Sequence, residues 1–325
     1  MSNLYLVNLE KDEIVQEPIR KGFGRGLLEA GKQNEQIVAL CADLTESTQI
    51  HLFAKEFPER YIEVGIAEQN LVTVAAGMAA MGKIPFTSSY AAFSPGRNWE
   101  QFKTTACLNN VPVKIVGSHA GLYTGLDGAT HQMLEDIALM RVLPNNVVIV
   151  PCDSQEAYKA TLALAADPHP GYIRLARDSS PVITTDKTPF EIGKAQVFST
   201  GRDLTIVACG TMVYQALEAA EMLFKDGIDA EVINMATIKP FDNVTLLESV
   251  KKTGVVITVE EAQINGGLGS AVAECLSENM PVPLLRMGVR DRFGESGTPA
   301  ELLQHFGLTA KHIAVQAHVI IKKKY

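Results

Sequence analysis

Short runs of apolar residues alternate with amphipathic stretches along most of the chain. The runs predict buried strands at Ile37–Cys41, Tyr61–Val64, Ile84–Ser88, Val113–Gly117, Val147–Val150 and Tyr172–Leu175. The stretches between them predict helices at Gln49–Phe57, Glu68–Met81, Arg97–Asn109, Leu134–Arg141 and Ser154–Ala166. Continuous apolar strands that alternate with helices are typical of a parallel sheet covered by helices on both faces.

The alternation is interrupted once. Asp178–Glu191 contains two prolines and has no helical period, which indicates a domain boundary. Beyond it, the pattern predicts further strands and helices, namely Leu204–Cys209, Met212–Lys225, Ala230–Asn234, Asn243–Lys251, Val255–Val259, Leu268–Glu278 and Leu284–Met287. We therefore predict two α/β domains, residues 1–185 and 190–325.

Composition and charge exclude several classes of protein. The 325 residues are 46% hydrophobic and 20% charged, with a formal net charge of −8, which argues against disorder and against a basic nucleic-acid-binding surface. No apolar run is long enough to span a bilayer, and Met1–Lys11 lacks the pattern of a signal peptide. The five cysteines are scattered, without metal-ligand spacing, which favours buried reduced thiols in a cytoplasmic protein.

Ligands of open α/β sheets bind beyond the carboxyl ends of the strands, so the loops there are the first place to look for chemistry. Glu68 begins an apolar helix after one such strand. Its carboxylate is either a favourable charge at the helix N-terminus or, if desolvated, an acid that stays protonated. Tyr90 and Phe93 follow another strand and form either core packing or a platform for a flat ring.

The longest candidate loop is Ser118–Gln132, which holds two histidines, one aspartate and three glycines. His119, Asp127 and His131 could bond a polyhydroxylated substrate or transfer protons. A metal site is the alternative, although no fourth ligand is evident. Separately, the glycine-rich loop Asn265–Ser270 is either a phosphate cradle or a tight turn.

Arginines suitable for a phosphate are Arg20, Arg174 and Arg177. Arg177 follows the strand Tyr172–Leu175, again at the carboxyl edge of the predicted sheet. A single arginine is usually a surface charge, so these residues indicate a phosphate site only in combination with the other candidate residues.

Taken together, these segments resemble the second half of transketolase. The resemblance rests on Ala42–Thr48 (ADLTEST), Phe57–Asn70 (FPERYIEVGIAEQN), the loop of Tyr90 and Phe93, Gly117–Gly121 (GSHAG) and Leu126–Gln132 (LDGATHQ). It implies two three-layer α/β/α domains. The first is a parallel-sheet pyrimidine-binding domain, and the second is a transketolase C-terminal domain with a mostly parallel sheet.

The resemblance also implies a cofactor, thiamine diphosphate, and roles for nine residues. Glu68 would bond the pyrimidine N1′, and Tyr90 and Phe93 would pack against that ring. Gly96 stands where the family commonly has a third aromatic residue. His119 and Asp127 would contact substrate hydroxyls. A sugar phosphate would be held by Arg20, Ser47, His131 and Arg177, and the proposed catalytic set is Glu68, His119 and His131.

One family motif is missing. Transketolases hold the diphosphate and Mg²⁺ (or Ca²⁺) through a G-D-G sequence followed by an asparagine, and this chain has no G-D-G. The resemblance therefore implies a split enzyme whose separate N-terminal subunit carries that motif. The expected assembly is a heterotetramer that transfers a two-carbon ketol unit between sugar phosphates, such as xylulose 5-phosphate and an aldose phosphate.

Three alternatives stay open at this point. The β-subunit of a 2-oxo-acid dehydrogenase has a similar length, but its substrates carry no phosphate and would leave Arg20, Ser47 and Arg177 unexplained. The synthase that makes 1-deoxyxylulose 5-phosphate shares the sequence Gly65–Gln69 but is a single long chain. A noncatalytic partner that keeps the fold is the third, and the retention of Glu68 argues against it.

Overall fold

The computed structural model describes residues 6–7 and 13–324 of the chain. Most of the segment Met1–Lys11, to which the signal-peptide prediction refers, lies outside the described residues. In chain order the strands are β1 (Gln16–Pro18), β2 (Ile37–Cys41), β3 (Tyr61–Glu63), β4 (Ile84–Tyr90), β5 (Lys114–Ser118), β6 (Val147–Ile149), β7 (Gly171–Arg174), β8 (Ser179–Pro181), β9 (Gln196–Ser199), β10 (Leu204–Ala208), β11 (Ala230–Asn234), β12 (Thr237–Lys239), β13 (Val256–Gln263) and β14 (Leu284–Val289).

The helices pack against the faces of the sheets. They are α1 (Ile19–Gln33), α2 (His51–Glu56), α3 (Glu68–Ala80), α4 (Trp99–Gln101), α5 (Asp136–Arg141), α6 (Ser154–Ala166), α7 (Met212–Lys225), α8 (Asn243–Thr253), α9 (Leu268–Asn279), α10 (Pro299–His305) and α11 (Ala310–Ile321). A π-helical stretch, Phe102–Cys107, continues α4, and a 3-10 helix spans Leu122–Asp127. None of the described helices is long and apolar enough to cross a membrane.

The first sheet carries the candidate loops. Among the described residues it has seven strands in the order β12-β6-β7-β5-β4-β2-β3. The strands from the N-terminal half all run parallel, whereas β12 is antiparallel to β6. The loops after β2, β4, β5 and β7 therefore meet at one edge, which is where the sequence analysis expected the chemistry.

The second sheet has five strands in the described part of the chain, in the order β14-β13-β10-β11-β9. β10, β11, β13 and β14 are parallel and β9 is an antiparallel edge strand. The expected α/β architecture, with a parallel first sheet and a mostly parallel second sheet, is confirmed. The strand β12 crosses from the second predicted domain into the first sheet, and the predicted limits of the domains stay a prediction.

Helix α1 was not predicted because its sequence is rich in glycine, which disfavours helices. Its glycines let it pack closely on α6. A Cβ atom at Gly22 would lie 1.8 Å from the carbonyl oxygen of Ser154, and one at Gly26 would lie 2.8 Å from the Cβ of Thr161. This close packing holds Arg20, the second residue of α1, beside the carboxyl edge of the first sheet.

Candidate active site

Glu68 is the first residue of α3 and is 4% exposed. Its backbone carbonyl accepts a hydrogen bond from the side-chain amide of Asn98 at 2.9 Å. NH1 of Arg97 donates to both oxygens of the carboxylate, at 3.1 and 3.0 Å. Arg97 is not among the residues predicted from the sequence, and its one signal is its position four residues after Phe93 in a tight turn.

The turn after β4 places two aromatic rings and one guanidinium together. The rings of Tyr90 and Phe93 have their centroids 6.0 Å apart and are nearly parallel. The guanidinium carbon of Arg97 lies 4.2 Å from the centroid of Phe93. At Gly96 a Cβ atom would lie 2.0 Å from the carbonyl oxygen of Ala92, so no aromatic side chain fits there. Arg97 covers Phe93 instead.

His119 and His131 lie against these rings. The imidazole of His119 stacks on Tyr90 with a centroid distance of 3.8 Å. Its Nδ1 lies 2.9 Å from the hydroxyl oxygen of Ser118. The ring of His131 meets Phe93 edge-on at 5.5 Å. The structure therefore brings together four of the predicted residues from two loops, and Ser118 is a contact that the sequence analysis did not identify.

His119 is 2% exposed and has a backbone φ of 56°, in the left-handed region. Burial, together with the neighbouring Arg20, Arg177 and His131, lowers the pKa of its imidazole to about 2. The imidazole is therefore neutral at physiological pH. The guanidinium groups of Arg20 and Arg177 contribute positive charge to this part of the site, which suits an anion.

Arg20, Ser47 and Arg177 form one connected group. The guanidinium of Arg20 donates from Nε to the carbonyl oxygen of Arg177 at 3.1 Å and from NH1 to the carbonyl oxygen of Ser47. Arg177 lies 3.9 Å from the carboxylate of Asp127, measured from its Nε, and donates to the carbonyl oxygen of Thr124 at 3.4 Å. These contacts join the loops after β2, β5 and β7 in one polar cluster.

Two further candidates from the sequence are occupied by other groups. Arg174 is 3% exposed and bonds the carboxylates of Asp136 at 2.9 Å and Glu261 at 3.4 Å, so it is not available to a phosphate. The glycine-rich loop is not an empty cradle, because the carboxylate of Glu260 accepts the amide hydrogens of Leu268 and Gly269 at 2.8 Å each. Burial raises the pKa of Glu260 to about 7.

Within the described ranges, no group of three or more histidine, cysteine, aspartate or glutamate side chains is arranged to hold a metal ion. His119 and His131 both lie against the ring of Tyr90, whereas Asp127 lies beside Arg177. The arrangement that the structure does offer is a buried carboxylate, aromatic faces and the two neighbouring guanidinium groups of Arg20 and Arg177. Such a set can hold a flat nitrogen-bearing ring next to an anion.

Comparison with known proteins matches two family models along the chain. Residues 17–182 match the transketolase pyrimidine-binding domain, and residues 193–313 match the transketolase C-terminal domain. The chain is 46% identical to a protein of Methanocaldococcus jannaschii described as a transketolase C-terminal section, over 95% of this chain and 98% of that protein. It is 47% identical to a 6-deoxy-6-sulfo-D-fructose transketolase subunit of Clostridium sp., over 92% of each chain.

A solved structure described as a split gene transketolase, an inactive β4 tetramer, superimposes with a TM-score of 0.89 at 46% identity. The match covers 95% of this chain and 99% of that one. Both the family models and the relatives of equal length agree with the resemblance stated from the sequence motifs. The chain belongs to the transketolase family and comprises its pyrimidine-binding and C-terminal domains.

Proposed function

We propose that this chain is one subunit of a split transketolase, which transfers a two-carbon ketol unit from a ketose phosphate, such as xylulose 5-phosphate, to an aldose phosphate. The observation that carries this proposal is the meeting of three features at one sheet edge. These are the buried carboxylate of Glu68, the rings of Tyr90 and Phe93, and the cationic group of Arg20 and Arg177.

The residues present fit the pyrimidine of thiamine diphosphate. Arg97 is the test of that fit, because its flat guanidinium lies over Phe93 and donates to Glu68. A planar group that carries nitrogen is thus accommodated between an aromatic face and a buried carboxylate. We propose that Glu68 holds a ring nitrogen of the cofactor and that Tyr90 and Phe93 pack against its ring. When bound, the cofactor supplies the electron sink for carbon–carbon bond cleavage.

The cationic group suits the substrate phosphate. Arg20, His131 and Arg177, with the hydroxyl of Ser47, would supply charge-assisted hydrogen bonds to a dianion. His119 is neutral, so its imidazole can either accept or donate a hydrogen bond to a substrate hydroxyl. Asp127 would accept from another hydroxyl. These residues would orient the sugar. The proposed proton-transferring groups are Glu68, His119 and His131.

We propose that a second chain binds the diphosphate and Mg²⁺ (or Ca²⁺) through a G-D-G motif. This chain has no G-D-G, and relatives of nearly its length are described as a section or a subunit of a transketolase. The working form would be a heterotetramer in the cytoplasm. A cytoplasmic location is supported by the five cysteines, which are all free and buried.

Reconstitution tests the proposal. The purified chain alone should show no ketol transfer. Activity should return on mixing with a G-D-G-bearing partner, thiamine diphosphate and Mg²⁺, with xylulose 5-phosphate and ribose 5-phosphate as substrates. Full activity of the chain alone would contradict the split enzyme. In a parallel mixture given pyruvate and glyceraldehyde 3-phosphate, formation of 1-deoxyxylulose 5-phosphate with release of CO₂, without ketol transfer in the first mixture, would favour the synthase alternative.

A further inference from the structure

The loop that carries Asp127 and His131 is closed at its base and has little regular structure of its own. The amide of Gly121 donates to the carbonyl oxygen of Met133 at 2.9 Å, next to an isolated bridge between Ala120 and Met133. Within this loop the structure has only the 3-10 helix Leu122–Asp127. Its shape therefore depends on bonds to other parts of the chain.

The first attachment comes from Glu261 in β13. One carboxylate oxygen accepts the amide hydrogen of Tyr123 at 3.0 Å. The other accepts from the hydroxyl of Thr211 at 3.0 Å and from Arg174 at 3.4 Å. Glu261 is 2% exposed. Because its carboxylate is held from several sides in a buried setting, it fixes the start of the 3-10 helix.

The second attachment comes from the segment 294–297. The hydroxyl of Ser296 donates to the carbonyl oxygen of Leu126 at 2.6 Å. The side-chain amide of Gln132 donates to the carbonyl oxygens of Gly125 at 3.0 Å and Glu295 at 2.8 Å. The segment 294–297 and the loop lie so close together that a Cβ atom at Gly294 would be 1.8 Å from Oε1 of Gln132.

We infer that Glu261 and Ser296 are positioning residues. Through them, β13 and the segment 294–297 of the C-terminal domain fix the positions of Asp127 and His131. Leu126 directly precedes Asp127, and Gln132 directly follows His131, so the attachments sit at the immediate neighbours of both residues. The inference rests on the proposed function, which assigns Asp127 and His131 to the substrate. Neither Glu261 nor Ser296 needs to touch the substrate for this effect.

Hydrogen–deuterium exchange of the full chain tests the attachment without any activity. Ser296 is exposed, so Ser296→Ala should fold normally. We expect faster exchange of the amides in residues 122–132 and unchanged exchange in the second sheet. Ser277→Ala is the matched control, since that hydroxyl also donates to a backbone carbonyl, that of Glu274 at 2.9 Å within α9. The control should leave the loop unchanged.

Kinetics of the reconstituted enzyme test the consequence. In Ser296→Ala the KM for the ketose phosphate should rise about two- to ten-fold, as expected for one lost neutral hydrogen bond. The kcat should stay within about two-fold, and Ser296→Thr, which keeps the hydroxyl, should restore the KM. A purely structural defect would instead lower the melting temperature and kcat together.

Two results would overturn the inference. One is unchanged exchange of residues 122–132 in Ser296→Ala, and the other is faster exchange with an unchanged KM. Failure of the proposed function has a different signature, because the wild-type mixture would then show no ketol transfer at all. In that case the exchange experiment still decides whether Ser296 holds the loop.

Discussion

The carboxylate of Glu68 and the guanidinium of Arg97 form an ion pair in which Glu68 is 4% exposed and Arg97 is half exposed. The buried carboxylate is thereby neutralised by a side chain that can move into solvent. Arg97 also lies over Phe93, so it occupies the space between an aromatic face and the carboxylate. Under the proposed function, the cofactor pyrimidine needs that same space.

Arg97→Met should tighten the binding of thiamine diphosphate to the reconstituted assembly. The cofactor would no longer have to displace an ion pair with a half-exposed partner, which corresponds to about two- to five-fold in Kd. Calorimetric titration of the cofactor into the assembled chains measures this. Arg97→Lys keeps the charge and should bind like the wild type. Weaker binding by Arg97→Met would show that Arg97 itself holds the cofactor.

Glu68→Ala should abolish turnover of xylulose 5-phosphate with ribose 5-phosphate. Loss of a group that takes part in proton transfer lowers kcat by about 100-fold or more. Steady-state assays of the reconstituted variant measure this loss. The control is Glu59→Ala, which also removes a carboxylate. The Glu59 side chain is 70% exposed, and its ion pair with Arg60 is long, at 3.7 Å. A near-normal kcat in Glu68→Ala would remove this residue from the mechanism.

Arg177→Ala should mainly raise the KM for phosphorylated donors, by about ten-fold or more, because charge-assisted hydrogen bonds to a phosphate are among the stronger ones. The comparison is with the same assay on unphosphorylated sugars, for which the KM should change less. Arg202→Ala provides a control, since the Arg202 side chain is 84% exposed and its ion-pair partner is Asp229, outside the candidate site. An equal loss with both kinds of sugar would indicate a folding defect.

His119→Gln should reduce the dependence of stability on pH. The pKa of His119 is lowered to about 2 in the folded chain, mainly by burial. As the pH falls below the ordinary value of about 6.5, the unfolded chain takes up a proton that the folded chain does not, so the free energy of unfolding decreases. Urea unfolding at about pH 7.5 and about pH 5 should show a larger loss for the wild type than for the variant.

The control for that experiment is His169→Gln. His169 is exposed, so this substitution removes a histidine without removing a buried imidazole. His119→Gln also removes the stacking contact with Tyr90 and should cost about 1 kcal/mol at the higher pH. If the free energy of unfolding fell by the same amount between the two pH values in His119→Gln as in the wild type, the assignment of a neutral, buried imidazole would be contradicted.

The strands and the loops at their carboxyl ends could be predicted because the relevant signal is local. Ile37–Cys41 is apolar at every position, and the structure has a strand with those limits. Helix Ser154–Ala166 was also predicted with its observed limits. In contrast, the predicted helix Arg97–Asn109 begins later, at Trp99, and becomes π-helical from Phe102. No local pattern distinguishes those hydrogen-bonding arrangements.

The contacts of the site could not be predicted where they depend on distant parts of the chain. Arg174 and Arg177 are equivalent in the sequence, yet Arg174 is buried between Asp136 and Glu261, which lies 87 residues away. The glycine-rich loop gave the pattern of a phosphate cradle, and only the packing of β13 shows that Glu260 fills it. The proposed roles of the nine site residues stay predictions for the experiments above.

Because of strand β12, the first sheet is complete only when residues from the second half of the chain are present. The strand forms the edge of the first sheet beside β6, although it follows the start of the second sheet in the sequence. A fragment that ends before residue 190 would leave the buried strand Val147–Ile149 as a bare edge, open to pairing with other molecules. We therefore expect such fragments to aggregate, and a fusion or transplant to need residues 237–239 with the first half.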